Sequence, residues 1–319
     1  MDVVYLVAGL VILFVGGELT VRGGVGLARY LGISAAVIGL TVIGFGTSAP
    51  ELVVTVQAAL AGQSGLAVGN VVGSNISNLL LILGTGAAIW PMSCTVGAAR
   101  RDAGVMTASA VLLVGLGLYG VILWWHGVLM VAALILYLFL TYLQDKRDQA
   151  SCEFHASEAE EIENAPTSLP KIILFTLLGL VGLIVGADLM VKGAIGIAEK
   201  FGVPDSIIGL TVVALGTSLP ELAATVVAAY RKHTDVAIAN VLGSCTFNVL
   251  SILGITSLVA PLSIDPDIQR IDLWVMLAAT VLVTAVLLFR CRIGRATGLI
   301  FLVGYVAYIA SLVPRSGLS

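Results

Sequence analysis

The chain repeats itself at one fixed offset. Residues 39–51 read GLTVIGFGTSAPE and residues 209–221 read GLTVVALGTSLPE, with nine of thirteen positions identical. Residues 70–84 (NVVGSNISNLLLILG) match residues 240–254 (NVLGSCTFNVLSILG), and both pairs stand 170 residues apart without a gap. Upstream, Gly16, Glu18, Gly23, Gly26 and Gly32 face Gly186, Asp188, Gly193, Gly196 and Gly202 at the same offset. Self-similarity of this kind means that one supersecondary unit occurs twice. The chain must fold as two related halves.

Composition decides the solvent. The 319 residues are 59% hydrophobic and 11% charged, with a mean hydropathy of +1.07. An average soluble domain is roughly 45–50% apolar and about 25% charged. A soluble fold cannot hide this much apolar surface. The apolar runs are long and continuous, as in 112–123 and 273–289, which excludes the alternating pattern of about 10 residues that marks a membrane β-barrel. The expected class is therefore an all-α integral membrane protein. A spanning helix takes about 20 apolar residues, and ten segments qualify, near 3–28, 35–61, 66–90, 103–121, 125–143, 170–198, 205–229, 236–260, 272–289 and 297–313. The stretch Trp124-Trp125-His126-Gly127 reads as an interfacial turn splitting the fourth from the fifth. The first 17 residues carry no Lys or Arg ahead of their apolar run, so they read as a first spanning helix rather than a cleaved leader.

Five helices per half is an odd number, so the second copy enters the bilayer upside down. Residues 1–143 form the first five-helix half, with its α-repeat at 39–84, and 170–319 the second, with its α-repeat at 209–254. Between them, 144–169 is polar and contains Glu153, Glu158, Glu160, Glu161 and Glu163, the composition of a solvated tether too short for a core of its own. With both termini outside, twelve of the sixteen Lys and Arg residues fall on the cytoplasmic side, the tether among them, as the positive-inside rule requires. The expected location is the cell membrane. The net charge of −3 brings no basic patch, which excludes a nucleic-acid partner, and no obligatory protein partner is evident. Cys94, Cys152, Cys245 and Cys291 lie far apart without a C-x-x-C pair, and are read as small apolar residues. His126, His155 and His233 fall near loops and are read as solvated. No Ser–His, paired Asp or H-E-x-x-H motif lies on the helices, so the chain is not read as an enzyme, and no cofactor is expected.

Glu51 and Glu221 carry the chemistry. Each sits within an apolar segment with no Lys or Arg nearby, where a carboxylate costs several kcal/mol unless neutralised or paired. Thr47, Ser48 and Pro50 precede Glu51, and Thr217, Ser218 and Pro220 precede Glu221. Proline removes a backbone donor, and Gly44, Gly46 and Gly216 let the helix open, which at this depth survives only where backbone lines a cavity. Ser74 and Asn78, with Ser244 and Asn248, share one face of the neighbouring helices at a spacing of four. Carboxylate, hydroxyl, amide and carbonyl oxygens together suit hard cations such as calcium and sodium. Taken singly, such Ser and Thr residues more often bond their own helix, and small-polar motifs also serve packing. Two symmetric glutamates in broken apolar helices are not explained by packing.

At GTSAPE with GSNISN, and GTSLPE with GSCTFN, the chain resembles the calcium/cation antiporter superfamily, and within it the prokaryotic sodium/calcium exchangers, over nearly its whole length. The resemblance implies that Glu51 and Glu221 are the central ligands shared by Ca2+ and Na+. It further implies one sodium site from Thr47, Ser48, Ser74 and the Gly44 carbonyl, a mirror site from Thr217, Ser218, Ser244 and the Ala214 carbonyl, and Asn78 and Asn248 completing the middle. Asparagine at 248, where potassium-dependent relatives have aspartate, argues against a potassium requirement. The nearest rival is a proton/calcium antiporter of the same superfamily, whose members typically replace the GTS triplet that is intact here in both copies. A cation channel is a further rival, and predicts flux without a counter-ion.

Overall fold

A computed structural model describes residues 1–147, 166–200 and 214–312. The apolar runs form α1 (Asp2–Leu31), α2 (Ala35–Thr47), α3 (Ala49–Leu60), α4 (Ser64–Ile89), α5 (Val96–Tyr119) and α6 (Trp124–Arg147). After the tether follow α7 (Leu169–Lys200), α8 (Ala214–Gly216), α9 (Leu219–Tyr230), α10 (Thr234–Val259), α11 (Ile268–Arg290) and α12 (Arg295–Leu312). Eight of these are long and apolar enough to span a bilayer, and α2 with α3, bent by 43°, makes a ninth span. The chain is thus an all-α, multi-pass membrane protein with eight or nine such spans among the described residues, one or two fewer than the ten expected. The shortfall falls on the segment near 205–229, of which 205–213 lies outside the described residues and the remainder is α8 and the short α9. Most of the 144–169 tether, 148–165, likewise lies outside them, and with it Cys152 and His155.

Two expectations are corrected here. The break between the fourth and fifth spans lies at 120–123, not at 124–127. Gly120 adopts φ 90°, a conformation that favours glycine, and α6 already begins at Trp124. His126 is not solvated: it is buried, and its Nδ1 accepts the Leu123 N–H at 2.9 Å, satisfying a donor at the helix start.

α4 and α10 form the centre. Every residue in the apolar window of α10 is buried and 72% of that of α4, against 17% for α12. Around them, exposed Val7, Leu10, Phe14, Leu177 and Leu178 cover the outside with apolar surface, as lipid requires. The antiparallel pair α1 and α7 packs backbone on backbone. An added Cβ on Gly9 falls 2.5 Å from Met190 N, one on Gly186 2.8 Å from Leu13 N, and one on Gly23 2.5 Å from Thr176 Oγ1. Close approach through small residues is how helices associate where lipid removes the hydrophobic drive.

Four two-residue strands tie the loops: β1 (Met92–Ser93), β2 (Val121–Ile122), β3 (Leu262–Ser263) and β4 (Arg292–Ile293). β1 pairs antiparallel with β4, and β2 with β3. Beside the first ladder, Cys94 and Cys291 form a disulfide with their Cα atoms 5.5 Å apart. This corrects the reading of those two cysteines as merely small apolar residues far apart, because the strand pairing brings together loops 197 residues apart in sequence. Cys245 alone among the described cysteines is free, and it is buried.

Candidate cation site

The site grows out of two interrupted helices. S-x-x-E at 48–51 and 218–221 has the sequence of a capping box. Neither serine caps its own helix. Each takes φ near −85° and ψ near zero and ends the preceding segment, while Pro50 and Pro220 sit in the first turn of α3 and α9, where a missing N–H costs nothing. Glu51 and Glu221 thereby occupy the first turns, where the helix dipole favours negative charge.

The freed hydroxyls cross to the opposite half. Ser48 Oγ donates to Glu221 Oε1 at 2.8 Å, and Ser218 Oγ to Glu51 Oε1 at 3.4 Å. The Gly44 carbonyl accepts from Thr47 Oγ1 at 3.2 Å and from Ser244 Oγ at 3.5 Å. Among the described residues these hydrogen bonds run both within one half and across the two halves. Ser74 is buried on α4, and Ala214 opens α8 at the position equivalent to Gly44.

α4 and α10 each widen into a π-helical stretch where their asparagines lie, at Ser77–Ile82 and Asn248–Leu253. Such interruptions are frequent at functional sites. Asn78 and Asn248 are both buried. Four oxygens, Glu51 Oε2, Glu221 Oε2, Asn78 Oδ1 and Asn248 Oδ1, are sealed from solvent and have no hydrogen-bond partner. Both glutamates are 1% exposed, and none of the ion pairs among the described residues involves either. Unsatisfied buried acceptors are costly; Ser77 Oγ, Thr141 Oγ1, Asn240 Oδ1 and Thr256 Oγ1 are unpartnered as well, but the four named first include both carboxylates and are drawn equally from the two repeats, the pattern a cation site would have. The described residues hold no cluster of three or more His, Cys, Asp or Glu, so a cation here rests on amide, hydroxyl and carbonyl oxygens beside the two carboxylates.

Sequence reasoning missed several hydrogen bonds that brace the helices. Asn70 Nδ2 donates to Thr55 Oγ1 at 3.0 Å, and Asn240 Nδ2 to Thr225 Oγ1 at 3.1 Å. Tyr137 donates to the buried Asp102 at 2.8 Å, and Tyr308 to Asp272 at 3.2 Å. The first pair of braces recurs at the 170-residue offset, and so do the two aspartates of the second; that spacing was the signal available.

Spanning helices around a sealed, cation-seeking oxygen cluster define a membrane cation transporter. The family described as "Sodium/calcium exchanger protein" matches residues 1–143 and 171–313, and the chain belongs to it. It is 34% identical over 315 residues to the putative antiporter CaxA of Alkalimonas amylolytica, covering 96% of each chain. It is 31% identical to the sodium/calcium exchanger MaX1 of Methanosarcina acetivorans, over 96% of this chain and 97% of that one. Its fold superposes on a structure of the sodium-calcium exchanger NCX_Mj soaked with Na+ and Sr2+, with a TM-score of 0.84, 32% identity and 98% of both chains covered. The chain is a cation exchanger, built as a transporter.

Proposed function

We propose that the chain exchanges Ca2+ for Na+ across the cell membrane by alternating access, both ions using the cluster around Glu51 and Glu221. The observation that carries this reading is the set of four unpartnered buried oxygens on Glu51, Glu221, Asn78 and Asn248. Thr47, Thr217, Ser48, Ser218, Ser74, Ser244 and the carbonyls of Gly44 and Ala214 complete the ligand set in this reading. Two carboxylates balance the charge of one Ca2+, and oxygen ligands of mixed kind suit both ions. Ca2+ and Na+ compete because they need the same oxygens. With neither bound, two uncompensated carboxylates would have to face a low-dielectric barrier, so the empty carrier resists changing sides. That resistance couples the two fluxes.

The arrangement in the membrane is part of the proposal: two five-helix halves in opposite orientations, both termini outside, and the tether in the cytoplasm. The antiparallel run of α1 and α7 supports inversion, and so do the swapped strand pairs. Contacts at the loops also respect the sidedness, since Asp2 pairs with Lys200 at one face and Arg231 with Glu18 near the other.

The test is calcium-45 uptake into proteoliposomes loaded with Na+, with K+, or with a pH gradient alone. Uptake should require internal Na+, and Glu51→Gln or Glu221→Gln should abolish it. Uptake driven by the pH gradient without Na+ would make the chain a proton/calcium antiporter. Calcium flux with no counter-ion would make it a channel.

A further inference from the structure

A carboxamide presents an acceptor at one end and donors at the other, and only the oxygen end can bind a cation. Asn248 therefore needs something to hold it the right way round. Its Nδ2 donates to Asn75 Oδ1 at 3.0 Å. Asn75 Nδ2 donates in turn to the main-chain carbonyl of Cys245 at 3.4 Å and lies 3.7 Å from Met276 Sδ. Neither of those partners can donate. Turning the Asn75 amide over would set oxygen against oxygen, and turning Asn248 over would do the same one step along. Asn75 is 3% exposed, so water is not at hand to repair a reversed chain. The polarity set by one backbone carbonyl is thus transmitted through Asn75 to leave Asn248 Oδ1 without a partner.

We propose that Asn75 is a positioning residue for cation exchange, fixing the amide of Asn248 with its oxygen toward the ion; this rests on the cation-site reading given above. The equivalent position in the other half holds Cys245. Cys245 Sγ donates to the main-chain carbonyl of Asn75 at 3.9 Å. The carboxamide relay therefore has no side-chain counterpart of the same kind in the other half. A thiol is a weak donor and a weak acceptor, so Cys245 does not supply at its position the firm amide-to-amide bond that Asn75 makes to Asn248.

The experiment is a double-mutant cycle read by the calcium half-saturation of Na+-driven uptake. Asn75→Ala should raise that concentration by about tenfold or more, the cost of losing an outer partner of a metal ligand. A carboxylate has acceptors at both ends and no polarity to set. In the Asn248→Asp background, Asn75→Ala should accordingly cost less than about twofold. A merely structural role would cost the same in both backgrounds, and that result overturns the proposal, as does an unchanged half-saturation for Asn75→Ala alone. If the alanine variant does not purify as a single species, Asn75→Ser takes its place in the cycle. Glu51→Gln and Glu221→Gln run alongside. If they retain uptake, the cation-site reading itself fails; if they abolish it while both Asn75 variants are silent, only the positioning role fails.

Discussion

Ser48 donates its hydroxyl to Glu221 Oε1 at 2.8 Å across 173 residues of sequence, while the mirror bond from Ser218 to Glu51 is 3.4 Å long. A capping-box serine has been taken from its own helix and given to the carboxylate of the other repeat. Hydrogen bonds to charged groups contribute about 1.5–3 kcal/mol, and longer ones less. Ser48→Ala should weaken calcium half-saturation by roughly tenfold or more, and Ser218→Ala by distinctly less. Uptake titrations on the two variants decide it; equal losses would mean that the hydroxyls act only as ion ligands.

Glu18 on α1 accepts from Arg231, just beyond α9, at 2.7 and 2.9 Å. Glu18 and Asp188 each also pair one turn along their own helix, with Arg22 and Lys192, but the residue equivalent to Arg231 is Ala61. This ion pair therefore ties α1 to the end of α9, and Ala61 cannot make the mirror pair between α7 and the end of α3. If α1 and α7 slide during exchange, the pair holds one facing. Partly exposed pairs contribute up to about 1 kcal/mol, so Arg231→Ala should shift the balance of facings by up to roughly fivefold. A cysteine introduced near Arg231 should then be labelled faster in the variant. An unchanged labelling rate would reject the latch.

The glutamates were legible because a charged residue in an apolar run has few explanations, and the repeat showed each twice. The helices were legible from run length, except where 205–213 lies outside the described residues. Asn75 was not legible, because its repeat position holds Cys245 and comparison of the halves therefore does not single it out. The Cys94–Cys291 bridge was hidden for a different reason: its partners meet only through the β1–β4 ladder, which no local pattern announces. Asp102 and Asp272 were overlooked although they keep the offset, since an acid near a helix start usually serves the dipole rather than a buried tyrosine.

The glycine seam between α1 and α7 leaves no room for a side chain at Gly23, where a Cβ would meet Thr176 backbone at 2.6 Å. Gly115, by contrast, has open space around it. Overpacking costs about 1–3 kcal/mol, whereas Gly→Ala within a helix gains about 0.5–1 kcal/mol. Gly23→Ala should lower the melting temperature in detergent and slow exchange, and Gly115→Ala should leave both intact or raise the first. A seam that tolerates alanine at 23 without loss would show that the helices separate freely.

Cys94 and Cys291 share a membrane face with Arg100, Arg101, Arg290 and Arg292 in the orientation proposed above, which puts their bridge on the cytoplasmic side, where thiols are kept reduced. The bridge links loops of different halves, and the ladder of Met92 with Ile293 and Ser93 with Arg292 remains when it opens. In purified, oxidised protein, reductant should therefore lower the melting temperature, reflecting a stabilisation of about 2–4 kcal/mol, while Na+-driven uptake persists. In cells both thiols should be reduced and open to labelling from one side only. A membrane-permeant maleimide should modify them in intact cells, an impermeant one only in inside-out vesicles. Modification of intact cells by the impermeant reagent would turn the orientation over, and with it the assignment of the tether and both termini.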